Sequence, residues 1–128
     1  MHHVLVIDDN QDMRELVQVI LEGAGYRVEL AADGHSGVEM QRRQPVDLVL
    51  TDIFMPNQDG LETIAQLRKD FPKLKIIAFS GGGKTSHSHS YLLVAAEIGA
   101  NAVLTKPFEQ EDLLRTVREL LAPCRVPE

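Results

Sequence analysis

The sequence has little cysteine, fewer basic than acidic residues, and no long hydrophobic run. Its single cysteine, Cys124, excludes an internal disulfide. With 13 basic and 19 acidic residues the net charge is −6, which argues against a surface that attracts nucleic acid. No apolar run approaches the roughly 18 residues of a membrane span, and no basic segment followed by an apolar core opens the chain. We therefore expect a cytoplasmic protein that contacts neither nucleic acid nor a membrane directly.

The 128 residues suit one compact domain, because 44% of them are hydrophobic and 25% are charged, as in ordinary globular proteins. Strand-like and helix-like patterns alternate five times along the chain. The predicted strands cover residues 4–7, 26–31, 48–52, 75–79 and 102–105. The predicted helices run from the candidate cap Asn10 to Gly23, over 33–43, from 61 to before 72, over 91–98, and around 113–121. The glycine-rich stretch 81–90 is predicted to be a loop.

This alternation predicts an α/β fold: a doubly wound, flavodoxin-like parallel sheet of five strands in the order 2-1-3-4-5, with five helices. In that order the carboxyl ends of the first and third strands lie side by side. The first strand ends at Asp8 and Asp9, and the third ends at Asp52. We therefore expect these three carboxylates to share one crevice at the edge of the sheet.

Such a crevice needs a counter-ion, because neighbouring carboxylates repel one another. A few carboxylate oxygens, with room for water and phosphate, suit Mg²⁺. The fourth and fifth strands would add the hydroxyl of Ser80 and the ammonium group of Lys106. A carboxylate nucleophile, a divalent metal and a lysine together indicate a phosphoryl-transfer site, with Asp52 as the attacking group.

These residues resemble the receiver domain of two-component response regulators. The resemblance covers essentially the whole chain, with the receiver at 1–122 and 123–128 as a short tail or the start of a linker. It rests on a specific set of motifs: Asp8-Asp9, Asp52 followed by Met55-Pro56 and Asp59-Gly60, Ser80, and Lys106-Pro107-Phe108.

The resemblance implies that Asp52 is the phosphoacceptor and that Asp8 and Asp9 hold Mg²⁺, helped by the backbone carbonyl of Phe54. It also implies that Ser80 and Lys106 contact the phosphoryl group. The phosphate donor would be a sensor histidine kinase or a histidine phosphotransfer protein. The output would be an unknown protein target or a homodimer that forms on phosphorylation. The chain would then be a signalling module and not an enzyme.

Two features depart from the family pattern. Val103 stands three residues before the lysine, where a switch aromatic is usual, and the segment after Ser80 is longer than usual. We hypothesise that ordering of residues 81–90 on phosphorylation replaces the aromatic switch.

Several alternatives stay open. The receiver acts alone by binding a protein target, relays phosphate to another histidine, or is a piece of a larger regulator. Alternatively, the chain is a pseudo-receiver, which keeps the fold but binds its partners without being phosphorylated. A metal-dependent phosphatase would use the same nucleophile, but it needs a nearby general acid, and position 54 is phenylalanine.

Overall fold

The structure is a computed structural model that describes residues 2–53, 60–80, 87–105 and 108–121, with the backbone alone for residue 80 and residues 87–92. Five strands and five helices alternate along it. The strands are β1 (His3–Ile7), β2 (Arg27–Ala31), β3 (Leu48–Asp52), β4 (Lys75–Ser80) and β5 (Ala102–Thr105). The helices are α1 (Gln11–Gly23), α2 (Gly34–Arg43), α3 (Gly60–Asp70), α4 (His87–Ile98) and α5 (Gln110–Leu121).

All strand pairs are parallel, and their order in the sheet is β2-β1-β3-β4-β5, which confirms the predicted fold. The register places Val6 of β1 opposite Leu50 of β3, and Asp52 of β3 opposite Phe79 of β4. The strand ends are therefore aligned, and residues that follow β1 and β3 emerge at the same edge.

Successive residues of each strand pack on opposite faces of the sheet, as strand geometry requires. Leu5 and Ile7 join a core with residues of α2, α3 and α4, whereas Val4 and Val6 join a second core with residues of α1 and α5. Both cores contain fully buried residues of β1 and β3, which explains why these two strands contain apolar runs without alternation.

The helix starts follow from local capping. The side chain of Asn10 accepts a hydrogen bond from Met13 N at the start of α1, as predicted, and Asp33 caps α2 through Ser36 N. The prediction for α4 was wrong at its start, because this helix begins at His87 and not at Tyr91. Residues 87–90 are therefore helical, and the other part of the predicted loop, 81–86, lies outside the described residues. The predicted boundary at residue 122 also lies outside them.

Candidate functional site

The first two carboxylates of the candidate site follow directly from the end of β1. The backbone N–H of Asp8 donates to Ala31 O at 3.1 Å, which extends the β1–β2 ladder by one residue. The Asp8 carboxylate in turn accepts from the backbone N–H of Asn10 at 2.9 Å. Asn10 thus holds Asp8 with its backbone and caps α1 with its side chain. The turn between β1 and α1 therefore fixes the direction of the Asp8 carboxylate.

Asp52 is the last residue of β3 and is 5% exposed, while Asp8 is fully buried and Asp9 is exposed. One carboxylate oxygen from each of these three residues lies within 4.8 Å of the others. The sequence prediction that the three acids share one crevice is confirmed. Two of them are withdrawn from water, so their mutual repulsion is screened less than it would be on the surface.

The arrangement fits a divalent cation on chemical grounds. Oxygen ligands of carboxylates are those that Mg²⁺ prefers, and a site that uses few protein ligands leaves coordination positions for water and phosphate. Among the described residues, this is the one group of three or more acidic, histidine or cysteine side chains close enough together to hold a metal.

The chain beyond Asp52 is held by backbone contacts. Ile53 N donates to Phe79 O at 3.1 Å, and Gly60 N donates to Ile53 O at 3.2 Å. A Cβ atom at Gly60 would overlap the carbonyl oxygen of Asp52 and the Cα of Ile53. Only glycine allows α3 to begin this close to the end of β3. The sequence marked Gly60 as a turn residue, but this packing role could not be read from it.

The end of β4 lies next to Asp52, and β5 is the next strand beyond β4. Ser80, whose side chain is not described, ends β4 opposite Thr105 of β5. Lys106 and Phe54, both predicted site residues, lie outside the described residues. The next described residue after Lys106 is Phe108, whose ring contacts Phe79 edge-on with centroids 5.8 Å apart. Phe108 therefore packs on β4 at the residue just before Ser80.

Arg14 was not predicted from the sequence as part of this region. Its guanidinium donates to the backbone carbonyl of Asp8 at 2.7 Å, which places a cation of α1 beside the turn that carries the acids. No spacing rule in the sequence indicates this contact. The sequence indicates Lys106 as the cation near the site, because that residue directly follows a predicted strand.

The model of the response regulator receiver domain family matches residues 4–118. The chain belongs to this family. Among curated proteins, it is 36% identical over 118 residues to the response regulator MprA of Mycobacterium leprae and 34% identical over 115 residues to the transcriptional regulatory protein DltR of Streptococcus agalactiae. These matches cover 92% and 90% of the receiver but only 50% of each relative, so the chain spans about half the length of the curated relatives it matches.

Solved structures give the same result. The receiver superposes on a response regulator receiver domain protein of Clostridium thermocellum with a TM-score of 0.85 and 25% identity, over 94% of each chain. It superposes on the chemotaxis response regulator CheY4 of Vibrio cholerae with a TM-score of 0.84 and 30% identity, over 94% of this chain and 99% of that one. The fold and the family are therefore both established. In the described part of the chain, no helix combines the length and the apolarity that crossing a bilayer requires.

Proposed function

We propose that this receiver is the phosphoacceptor module of a two-component system and that Asp52 is the residue that is phosphorylated. The observation that carries this proposal is the gathering of the Asp8, Asp9 and Asp52 carboxylates within 4.8 Å at the carboxyl edge of the sheet. Asp52 ends the central strand and lies between the other two acids and the ends of β4 and β5. A nucleophile at this position would have the metal site on the side of β1, and the ends of β4 and β5, which lead to Ser80 and Lys106 in the sequence, on its other side.

In the proposed reaction a carboxylate oxygen of Asp52 attacks the phosphorus of a phosphohistidine. The bond from phosphorus to the histidine nitrogen breaks, the imidazole leaves with the electron pair, and the product is an aspartyl phosphate. The donor would be a sensor histidine kinase or a histidine phosphotransfer protein. Water later attacks the phosphorus and releases phosphate, which restores the Asp52 carboxylate. The chain thus takes part in its own phosphorylation and dephosphorylation without turning over an external substrate.

Asp8 and Asp9 would hold Mg²⁺ together with Asp52 and the backbone carbonyl of Phe54. When bound, the ion supplies positive charge that offsets the charge of the carboxylates and of the transferring phosphoryl group. Asn10 N holds one Asp8 oxygen at 2.9 Å, so the carboxylate stays directed without a large rearrangement on metal binding. Lys106 and Ser80 would contact the phosphoryl oxygens from the side of β4 and β5.

The phosphorylation signal would leave the receiver through α4 and β5. These elements contact each other, and Leu93 and Val94 of α4 and Val103 of β5 expose 57%, 41% and 38% of their surfaces. Apolar side chains exposed on adjoining elements suit a protein target or a second copy of the receiver. DltR is named a transcriptional regulatory protein, and it is about twice as long as this chain. We propose that the receiver itself does not contact nucleic acid, because its net charge is −6. We also propose that it acts in the cytoplasm.

A pseudo-receiver is the second candidate, and the observation in its favour is Val103 at the position of the usual switch aromatic. Titration with MgCl₂ and then with beryllofluoride, followed by amide NMR spectra, separates the two candidates. A phosphoacceptor should bind beryllofluoride only with Mg²⁺, and Asp52→Asn should abolish this binding. The matched control is Asp47→Asn, which removes the same charge just before the start of the same strand. A folded wild-type chain that binds neither reagent would be a pseudo-receiver.

Asp9→Asn tests the metal site separately. Asp9 is exposed, so its replacement should leave the fold intact. At a Mg²⁺ concentration of about 100 times Kd, binding should stabilise the wild type by about 2.7 kcal/mol. Most of that stabilisation should be missing from Asp9→Asn, as measured by the midpoint of thermal unfolding with and without Mg²⁺. An equal Mg²⁺ effect in both proteins would remove Asp9 from the metal site.

A further inference from the structure

Arg14 holds the turn that carries the first two acids of the site. The β1–β2 ladder ends at Asp8, whose backbone N–H donates to Ala31 O at 3.1 Å. Where a ladder ends, the backbone polar groups need partners from outside the sheet. Nη1 of Arg14, from the first turn of α1, donates to the backbone carbonyl of Asp8 at 2.7 Å. The guanidinium therefore supplies such a partner to the peptide group that joins Asp8 to Asp9.

Asp9 lies between two peptide groups that are each held by a hydrogen bond. On its amino side, the carbonyl of Asp8 accepts from Arg14. On its carboxyl side, the backbone N–H of Asn10 donates to the Asp8 carboxylate at 2.9 Å. The Asp9 carboxylate itself is exposed, and in the described part of the chain no residue donates a hydrogen bond to it or pairs with it. The two held peptide groups therefore limit where this carboxylate can lie.

Repulsion among the acids works against this arrangement. One oxygen each from Asp8, Asp9 and Asp52 lies within 4.8 Å of the others, and neighbouring carboxylates repel one another. Of the three, only Asp9 is exposed, so it is the acid that can turn away into solvent. A backbone that is fixed on both sides of Asp9 restricts this movement. The contact of Arg14 with Asp8 thus helps to keep Asp9 beside the other two acids.

We propose that Arg14 is a positioning residue that raises the affinity of the site for Mg²⁺ relative to Ca²⁺. This inference rests on the proposed metal site of Asp8, Asp9 and Asp52. Mg²⁺ requires a nearly ideal octahedral geometry, whereas Ca²⁺ accepts a larger and more variable set of oxygen ligands. A rigid turn therefore favours Mg²⁺, and a loosened turn penalises Mg²⁺ more than Ca²⁺. Arg14 acts through the Asp8 backbone, since a guanidinium offers no acceptor atom to a metal ion.

The charge of Arg14 acts in the opposite direction. A cation near a metal site repels the ion, and it repels Mg²⁺ and Ca²⁺ alike because both carry the same charge. Removal of the charge alone would therefore strengthen the binding of both ions by a similar factor. Loss of the hold on Asp8 weakens binding, and it weakens the binding of Mg²⁺ more. The direction of the change and the ratio between the two ions thus distinguish the two effects.

Titrations of the full chain with MgCl₂ and, separately, with CaCl₂ test the proposal, followed at the amide NMR signals of Asp9 and Asn10. Arg14→Met, which keeps an apolar stem but no donor, should raise the Kd for Mg²⁺ about tenfold and the Kd for Ca²⁺ less than about threefold. Arg14→Lys, which keeps the charge and a donor, should stay within about threefold of the wild type for both ions. The matched control is Arg43→Met, which removes an exposed arginine from the last turn of α2 and should change neither Kd.

A lower Kd for Mg²⁺ in Arg14→Met would overturn the proposal, because the charge would then dominate. Equal losses for the two ions would also overturn it, as would unchanged Kd values with a lower midpoint of thermal unfolding, which would leave Arg14 a merely structural role. If Arg14→Met does not fold, Arg14→Gln decides by the same criteria, because glutamine is a good helix former with a shorter side chain than arginine. A folded wild type that binds neither ion would instead refute the proposed metal site, and this inference with it.

Discussion

The ring of Phe108 contacts the ring of Phe79 edge-on, with centroids 5.8 Å apart and ring planes at 71°. Phe79 is fully buried in β4 and lies opposite Asp52, whereas Phe108 follows β5 by three residues and is half-buried. This contact packs Phe108, two residues after Lys106 in the sequence, on the strand beside the proposed nucleophile. We therefore expect Phe108 to act as a positioning residue for the proposed reaction.

Replacement of this ring should lower both stability and phosphorylation. An aromatic pair contributes about 0.5–1.5 kcal/mol beyond its buried area. We expect Phe108→Leu, which keeps an apolar side chain, to lower the free energy of unfolding by about 1 kcal/mol. Urea denaturation measures this change, and the rate of phosphorylation by acetyl phosphate should fall as well. A variant that loses stability but keeps the wild-type rate would show that the contact is only structural.

Gly60→Ala should be strongly destabilising, because its Cβ would overlap the backbone of Asp52 and Ile53. Overpacking typically costs about 1–3 kcal/mol, and backbone atoms cannot move aside as a flexible side chain can. The matched control is Gly23→Ala in the last turn of α1, where an added Cβ meets nothing within 4 Å. That control should be neutral or slightly stabilising. Equal unfolding free energies for the two variants would contradict the close approach at Gly60.

Arg68 joins the ends of α3 and α4. Its Nη2 donates to Gly99 O at 2.7 Å and to Asn101 Oδ1 at 2.8 Å, and its Nη1 donates to Pro72 O at 2.8 Å. Burial lowers the pKa of Arg68, but its ordinary value is so high that the guanidinium is charged at neutral pH. The Asn101 oxygen also accepts from Ile76 N at 2.8 Å, which extends the network to β4.

We expect Arg68→Lys to lower the free energy of unfolding by about 2 kcal/mol, because a lysine cannot reproduce the planar fork of donors. The matched control is Arg42→Lys, since the contacts of Arg42 with the described residues are surface ion pairs with Glu39 and Asp70. That change should stay within about 0.5 kcal/mol. Chemical denaturation at pH 7 measures both variants. Equal effects would show that the Arg68 network contributes no more than a surface pair.

Hydrogen exchange tests the hypothesis that the segment after Ser80 replaces the missing aromatic switch. We expect amide exchange in residues 81–90 to slow when beryllofluoride and Mg²⁺ are added. The change should be largest before His87, because residues 87–90 already belong to α4. Exchange in α2 should stay constant and serves as the internal control. Unchanged exchange across residues 81–90 would reject the hypothesis.

The sequence predicted the fold well because the signals were local and repeated. Apolar runs such as 48–50 have the length of buried parallel strands, and Asn10 is a strong helix cap. The alternation of elements then limited the sheet order to a few choices, and this order brought Asp8, Asp9 and Asp52 together. The prediction failed at the start of α4, because serine, histidine and glycine in residues 81–90 favour loops more than helices.

Contacts between distant segments could not be predicted in the same way. The sequence predicts that Gly60 is a turn residue. Only the packing of α3 on Asp52 shows that a side chain would not fit there. Gln41 reads as an ordinary polar residue near the end of a helix, and its burial depends on the neighbouring connection. Arg68 likewise acts on residues about thirty positions away in the chain. Such roles depend on tertiary packing, which periodicity and spacing do not encode.

The intact mass after incubation with acetyl phosphate tests the central claim most directly. Wild type, Asp52→Asn and Asp47→Asn should be compared with and without Mg²⁺. The account predicts a gain of one phosphoryl group in the wild type and in Asp47→Asn, only with Mg²⁺, and no gain in Asp52→Asn. A folded wild-type chain that gains no mass, or an Asp52→Asn variant that gains as much as the wild type, would contradict it.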